Sequence, residues 1–233
     1  MFWIKKYEGK QMNRKLSVRI FIDIGMTVCL LLLMPYSLLG ETAHEWIGMG
    51  ICVLFVMHHV LNRRWMASIA KGRYTLFRAI QTLLVVVMLL LMFGSMISGI
   101  LLSNHIFTFV RVIGISEQAV LVHIFCAYWG FVVMSMHLGI HWNMIVSMCG
   151  RLSGGASVVR TWIARGVTVL IAGYGIYAFD KRQIAKYLSM KMHFAFYDFS
   201  EPVLFFIWDY AAVMVMIAFI AYYMGKRLRK VER

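Results

Sequence analysis

The amino-acid sequence predicts an all-α membrane protein with six transmembrane helices. Of its 233 residues, 61% are hydrophobic and only ten are acidic, whereas a soluble domain has about 45–50% apolar residues. The apolar residues are concentrated in six stretches, each near the roughly 20 residues that a helix needs to cross a bilayer. The formal charge of +14 comes from basic residues between these stretches. Membrane topology accounts for that placement, so no nucleic-acid partner is expected.

The six predicted spans follow one another with polar connections between them. Pro35 interrupts the first span, because proline lacks the backbone N–H that a helix interior requires. No small-residue cleavage pattern follows this span, so it is predicted to be an uncleaved helix and not a signal peptide. Asp23 lies four residues after Arg19, a spacing that predicts a local ion pair. The spans are residues 20–39, 44–61, 79–102, about 120–147, about 162–179 and about 203–224.

Lysine and arginine are distributed unevenly along the chain. Nineteen of the 24 occur in the two terminal segments and in the stretches 62–78 and 148–165, and five occur in the alternate loops. By the positive-inside rule, both termini are predicted to be cytoplasmic. Five tryptophans near predicted span ends are typical of interfacial anchors. They are Trp46, Trp65, Trp142, Trp162 and Trp208.

The predicted organisation has four parts. A basic cytoplasmic segment, 1–19, precedes a four-helix domain, 20–147. Two additional helices with an outer loop occupy 148–225, and a basic cytoplasmic tail follows at 226–233. The first four spans are predicted to form an up-down bundle, in which the second and fourth helices lie diagonally across the core.

Histidines recur with the same spacing in two of the predicted spans. His44 and His58 are 14 residues apart in the second span, and His123 and His137 are 14 apart in the fourth. Fourteen residues return to within roughly 40° of the starting face, about 21 Å further along the helix. Both spans run in the same direction, so His44 would be level with His123, and His58 with His137.

Two level pairs of imidazoles across a bundle core suit two b-type haems, each held by one histidine from either helix. His44 and His123 would ligate the outer haem iron, and His58 and His137 the inner haem iron. A single intramembrane histidine can instead be a hydrogen-bonded packing residue. Ionisable residues in membranes tend to face the bundle interior, and four matched positions favour ligands.

Several other residues are candidates for the surroundings of such a cofactor. Two arginines near the inner level and one near the outer level are suited to pair with propionates, although topology alone also explains them. An asparagine at the inner end is a possible donor. One further histidine, a turn beyond the fourth span's last ligand, is suited to bond a propionate or to line a quinone pocket. These residues are Arg63, Arg64, Arg111, Asn62 and His141.

The remaining polar residues have simpler interpretations. His59 is rotated about 100° from its neighbour on the same helix. His105 and His193 lie in outer loops and are expected to be solvated. Asp209 in the sixth span is expected to be neutralised by a partner such as Arg182, and a proton relay is the alternative.

The cysteines and methionines argue against some classes of site. The four cysteines form no CxxC or CxxCH motif, which argues against a zinc knuckle and against thioether-bound haem. Nineteen methionines without a repeated MxxM pattern indicate flexible packing and not copper transport.

Four glycines are compatible either with close helix packing or with room for a porphyrin face. They are Gly48, Gly94, Gly99 and Gly130.

Four short motifs resemble the flavinylation-associated cytochrome family, a group of small bacterial di-haem b-type membrane cytochromes. They are HEWIG at 44–48, HHVLNRRW at 58–65, GILLSNHIF at 99–107 and HLGIHW at 137–142, within a resemblance over about residues 17–147. The resemblance implies the four ligands named above. It also implies a cytochrome of the bacterial cytoplasmic membrane that works beside extracytoplasmic proteins carrying FMN. No flavin-attachment motif is evident here, so any flavin would belong to a partner.

Three functions remain open at this point. The first is electron transfer across the membrane, from a cytoplasmic-side or quinone donor to an extracytoplasmic, flavin-bearing acceptor, with two non-covalent haem b groups as cofactors. The second is a quinone-reactive membrane anchor subunit of a dehydrogenase or reductase. The third is a metal or proton transporter that uses the histidines without haem.

Overall fold

The computed structural model describes residues 14–69, 71–110, 116–143, 145–146, 158–194 and 197–232, and this part of the chain is helical without strands. Six helices are long and apolar enough to cross a membrane. The prediction of an all-α chain with six membrane-spanning helices is therefore confirmed. We label them α1 (Arg14–Leu33), α2 (Glu41–Leu61), α3 (Leu76–Leu102), α4 (Ser116–Ile140), α5 (Val158–Lys181) and α6 (Val203–Val231).

Local sequence explains where these helices begin and end. α1 ends just before Pro35, as predicted, and a single turn, Tyr36–Leu39, follows. Gly40 then adopts φ +89°, a conformation that glycine accepts more readily than other residues, and α2 starts at the next residue. At the start of α3, the hydroxyl of Thr75 accepts a hydrogen bond from the Arg78 amide and caps the helix.

The sixth helix is longer than predicted. It continues to Val231 and includes most of the segment 226–233 that the sequence analysis assigned to a separate basic tail. Lysine and arginine are good helix formers and are favourable near a helix C-terminus, where the backbone carbonyls carry partial negative charge. The basic segment predicted as the cytoplasmic tail therefore extends α6.

Helix pairs pack closely in an uneven pattern. α1 packs against α2, α3 against α4, and α6 against both α4 and α5, whereas α2 and α4 make no extensive backbone contact. Glycines allow the closest approaches. A Cβ at Gly139 of α4 would overlap the Ala218 carbonyl of α6, and one at Gly175 of α5 would lie 2.5 Å from the Ala212 carbonyl oxygen. Small residues at such crossings are typical of membrane helices.

Contacts between helix ends show which ends lie together. Arg19 near the start of α1 donates to the Leu61 carbonyl at the end of α2, 2.7 Å away. The Phe77 amide at the start of α3 donates to Glu232, just beyond α6. We call this end of the protein, where α1 begins and α6 finishes, the terminal end. The other end carries residues 34–40, 103–110, 181–194 and 197–202, and we call it the opposite end.

The apolar residues lie partly in a buried core and partly on the outward faces of the long helices. The largest buried cluster joins Leu30 of α1, Phe131 of α4 and Val213 of α6 with Ile184 and Tyr187, which belong to the short helix Ile184–Leu188. Many large apolar side chains remain exposed on the outward faces of the long helices, as contact with lipid tails requires. The last two long helices thus share a core with the first four.

We expect Gly139→Ala to destabilise the protein, because the added methyl group would meet the backbone of α6. Overpacking of this kind costs about 1–3 kcal/mol. Gly166→Ala in α5 is the matched control, since a Cβ there would meet nothing within 4 Å. The unfolding temperature of each variant is measured in detergent, with gel filtration as the readout of the protein that remains folded. Equal unfolding temperatures for the two variants would contradict the close approach of α4 and α6.

Candidate functional site

His44 of α2 and His123 of α4 face each other at the opposite end of the protein. Their ring centroids are 6.1 Å apart, with the ring planes inclined at 67°. A bond from a metal to an imidazole nitrogen is about 2 Å long, so a metal held between two imidazoles separates their centroids by about 6 Å. This contact joins α2 to α4, two helices without extensive backbone contact, and the pair was predicted from the sequence.

The nitrogen atoms of the pair are suited to a ligand between the rings. His123 Nδ1 lies 3.1 Å from the Ser95 carbonyl oxygen and 3.1 Å from the Ser98 hydroxyl. A carbonyl only accepts, so Nδ1 carries the proton and Nε2 keeps its lone pair, which is the arrangement of metal-binding histidines. His44 Nδ1 is buried without a hydrogen-bond partner in the described part of the chain. Such an unpaired group costs about 1–3 kcal/mol.

The glycines near this pair have different surroundings. A Cβ at Gly99 would lie 3.3 Å from Cε1 of His123, so this glycine gives the ring its space. Gly94 packs in the same way against Cys126. A Cβ at Gly48, one turn after His44, would meet nothing within 4 Å. The close-packing interpretation therefore applies to α3, while α2 has open space beside its histidine.

His58 lies at the terminal end and is held by α1. Its Nδ1 is 2.7 Å from Oδ1 of Asp23, and its Nε2 makes only a long contact of 3.4 Å with Asn62. The predicted local ion pair between Arg19 and Asp23 is wrong. Arg19 instead donates to a carbonyl at the end of α2, where backbone acceptors lack helical partners. Asp23 is therefore free to bond His58.

His137 lies in the last turn of α4, and His141 directly follows this helix. Their ring centroids are 4.6 Å apart. His58 and His137, although both at the terminal end, do not make the ring contact that His44 and His123 make. Their pairing remains a prediction. Arg229 of α6 stands over the Phe77 ring at 4.6 Å, and its buried Nη2 has no partner among the described residues. The sequence analysis missed this cation.

The predicted accessory residues have mixed surroundings. Arg63 and Arg64 are exposed in the turn after α2. The side chain of Asn62 donates to the His58 carbonyl at 2.8 Å. Arg111 lies outside the described residues.

The other histidines have local partners. His59 Nδ1 contacts the Phe55 carbonyl oxygen at 2.8 Å, and its ring packs on Phe55, as suits a packing residue. In the loops, His105 Nδ1 lies 3.3 Å from Glu45, and His193 Nε2 lies 2.9 Å from the Met190 carbonyl oxygen. Both are exposed.

Glu45, directly after His44, anchors the opposite end. Its carboxylate accepts from the Ser103 hydroxyl at 2.6 Å and from the backbone amides of Asn104 and Ile106 at 2.7 and 2.9 Å. Three residues here, Glu41, Glu45 and His105, have spacing compatible with a cation. Because N–H and O–H donors already fill the Glu45 carboxylate, we interpret it as the tie between the start of α2 and the end of α3. It holds the turn that carries His44.

Asp209 of α6 is the centre of a buried polar network. It is 1% exposed, accepts from the Tyr174 hydroxyl at 2.5 Å, and pairs with Lys181 at 2.9 Å and Arg182 at 2.7 Å. Arg182 also forms two 2.7 Å bonds to Glu201. The expected partnership of Arg182 with Asp209 is thus confirmed. Two cations balance two carboxylates, which is how charges are accommodated within a membrane protein.

Comparisons of the chain with protein-family models, with curated proteins and with solved structures found no match.

We expect Glu201→Gln to destabilise the protein at neutral pH, and the difference from the native chain to shrink in acid. Hydrogen bonds from Arg182 hold the pKa of Glu201 below its usual value of 4.5. A lowered carboxyl pKa stabilises the fold above pH 4.5, and this contribution is lost as the pH falls through the folded-state pKa. Unfolding temperatures between pH 7 and pH 3 measure it, with exposed Glu117→Gln as control. A difference that stays constant with pH would contradict the ion pair.

Proposed function

We propose that this chain is a di-haem b-type membrane cytochrome that carries electrons across the membrane. The donor would be on the cytoplasmic side or be a quinone, and the acceptor would be an extracytoplasmic protein bearing flavin. In this proposal the first four long helices form the haem-binding bundle, and both termini are cytoplasmic. The observation that carries the proposal is the pair of facing rings, His44 and His123, 6.1 Å apart between helices without extensive backbone contact.

The residues around this pair fit a metal-centred cofactor. His123 has one nitrogen occupied by Ser95 and Ser98 and the other available, and His44 has a buried nitrogen without a partner among the described residues. Open space at Gly48 lies one turn from His44. In a simple packing role His44 Nδ1 would remain without a hydrogen bond, and a ligand bound through this nitrogen would remove that cost.

The second proposed site is at the terminal end. His58 would be one ligand, with its Nδ1 held by the Asp23 carboxylate. His137 would be the other, as a predicted partner on the same level. Histidine held by a carboxylate on its far nitrogen is a recurring feature of metal ligation, since the bond fixes the ring and makes it a stronger donor. Arg229 and His141 would supply cationic and hydrogen-bonding partners for propionates.

When bound, haem would supply one-electron redox chemistry. The protein's own residues determine the conditions for it. The 14-residue spacing on α2 and on α4 sets two levels about 21 Å apart along each helix. The Ser95 carbonyl and the Asp23 carboxylate would each hold a ring nitrogen and fix the orientation of the imidazole. The apolar side chains between the two levels exclude water.

Orientation and partners follow from the distribution of charge. Basic residues are concentrated at the terminal end, so this end would face the cytoplasm and the His44–His123 pair would lie near the outer surface. An extracytoplasmic acceptor would then approach the opposite end. A quinone-reactive anchor subunit is the second candidate, and an aromatic cavity at the opposite end, described below, favours it.

We expect the purified protein to contain two haems, and the two ligand variants of each histidine pair to lose the same haem. His44→Ala and His123→Ala should each lose the same haem, and His58→Ala and His137→Ala the other, because each iron would need both axial ligands. His59→Ala is the control, since its ring bonds its own helix. Haem content and reduced-minus-oxidised spectra measure this. A colourless protein refutes the proposal, and loss of different haems within a pair refutes the pairing.

We also expect Asp23→Asn to raise the midpoint potential of the haem at the terminal end. The substitution removes a negative charge that would stabilise the oxidised metal through His58. Haem affinity should fall as well, by about 10–100-fold, as for other partners of ligand histidines. Redox titration and haem retention test both effects. Thr27→Val, which alters a hydroxyl that bonds only the Asp23 carbonyl, serves as control. An unchanged potential would show that Asp23 has only a structural role.

A further inference from the structure

A cavity of about 370 Å³ lies at the opposite end, beside the buried ion pairs of Asp209. Its volume is within the range of about 300–1,000 Å³ typical of small-molecule sites. Helices α4 and α6, the end of α5 and the chain that follows α5 enclose it. The lining residues are Tyr128, Lys181, Arg182, Gln183, Tyr187, Met192, Tyr197, Phe206 and Tyr210.

Aromatic rings form most of the wall. Tyr128 and Tyr187 stack with parallel planes, 4.2 Å between centroids and 7° apart. Phe206 stacks on Tyr210 at 5.0 Å and contacts Tyr197 at 5.5 Å. The Arg182 guanidinium also stands over the Phe206 ring, 4.2 Å from its centroid, and Tyr128, Tyr187, Phe206 and Tyr210 are all buried. These rings therefore present mainly their edges to the cavity, and such a wall favours a flat aromatic ligand through edge-to-face contact and burial of apolar area.

Two hydroxyl groups in the wall leave one proton without an acceptor. The hydroxyls of Tyr128 and Tyr210 are 3.2 Å apart and bond each other. That bond uses one of their two protons, and neither hydroxyl has a further partner among the residues the structure describes. Both side chains are buried, at 7% and 1% exposure. A buried donor without an acceptor is unfavourable by about 1–3 kcal/mol, so the cavity is suited to a ligand with an accepting oxygen.

The charges in the wall are already neutralised. The guanidinium of Arg182 bonds Asp209 through Nε and Glu201 through Nη1 and Nη2. Lys181 pairs with the same two carboxylates. A ligand therefore meets the edges of aromatic rings and a neutral O–H donor, and the positive charges in the wall are already paired with carboxylates.

The backbone at the edge of the cavity is strained. Gln183 has φ +51°, a left-handed conformation that is uncommon for a residue other than glycine. The surrounding contacts hold it there: Arg182 on one side is fixed in the ion pairs, and Ile184 on the other is fully buried. Strain of this kind is often found beside binding sites.

We propose that this cavity binds a neutral, planar aromatic molecule with carbonyl oxygens, which is the chemistry of a quinone head group. The free proton of the Tyr128–Tyr210 pair donates to a carbonyl oxygen, and the edges of the aromatic rings contact the head group. Tyr128 lies five residues after His123 on α4, a rise of about 7.5 Å along the helix and a rotation of about 140°, so the cavity and the His44–His123 pair lie on different faces of the same helix. The binding site itself does not depend on the presence of haem.

Binding is tested with the full-length protein in detergent micelles and the naphthoquinone menadione as probe. Calorimetric titration gives its affinity, and FMN is the comparison ligand. We expect menadione to bind and FMN, with its anionic phosphate, to bind at least tenfold more weakly. Absence of menadione binding, or equal or tighter FMN binding, would overturn the proposal.

Substitutions in the hydroxyl pair sharpen the test. Tyr128→Phe or Tyr210→Phe alone leaves one free phenolic proton, so each single variant should retain affinity within about threefold. The double variant has no such proton and should lose about tenfold, the effect of about 1.4 kcal/mol. Tyr223→Phe at the terminal end is the matched control. Native affinity in the double variant would refute the assigned donor.

A space-filling substitution covers the case in which the double variant does not fold. Met192→Trp should fill the cavity and abolish menadione binding while the unfolding temperature is retained, and unchanged binding would place the ligand elsewhere. Haem is counted in the same preparations. Menadione binding by a protein without haem would refute the proposed cytochrome function and leave the cavity assignment intact.

Discussion

The constraint behind this structure is that a polar group inside a membrane protein must find its partner within the protein, because lipid offers none. Most buried polar groups described here obey it. Asp209 is surrounded by a tyrosine and two cations, Ser103 bonds Glu45, and Ser98 bonds His123. Against this background the exceptions are informative. His44 Nδ1, Arg229 Nη2 and one phenolic proton of the Tyr128–Tyr210 pair lack partners in the described structure.

These three exceptions lie where a ligand is proposed. The His44 nitrogen belongs to the facing ring pair, and the Arg229 nitrogen lies at the terminal end, where His141 is also found. The phenolic proton lines the aromatic cavity. Each unpaired group would be costly in a protein without ligands, so the same physical argument points to a cofactor between the rings, an acidic group near Arg229 and a carbonyl oxygen in the cavity.

Helix α4 connects these places. It carries His123 and Tyr128 toward the opposite end and His137 toward the terminal end, and it packs against both α3 and α6. Glycine at position 139 lets α6 approach it closely, and glycine at position 99 of α3 leaves space for the His123 ring. A helix with packing on two sides is a rigid support, which suits side chains that must keep fixed positions relative to one another.

The sequence by itself determined the helical class, the number of spans, the break at Pro35 and the matching spacing of the histidines on α2 and α4, because apolar length and the period of a helix are local properties. The contact of His44 with His123 agrees with that spacing. The neutralisation of Asp209 by Arg182 was also readable, since a lone carboxylate in an apolar stretch requires a nearby cation. Only the tertiary structure decided that Asp23 bonds His58 and not Arg19, and that Glu45 ties α2 to α3. It also decided that Arg229 packs over Phe77 and that aromatic residues line a cavity at the opposite end. Those contacts join residues far apart in the chain, and no periodicity within one helix specifies which side chains another helix will present to it.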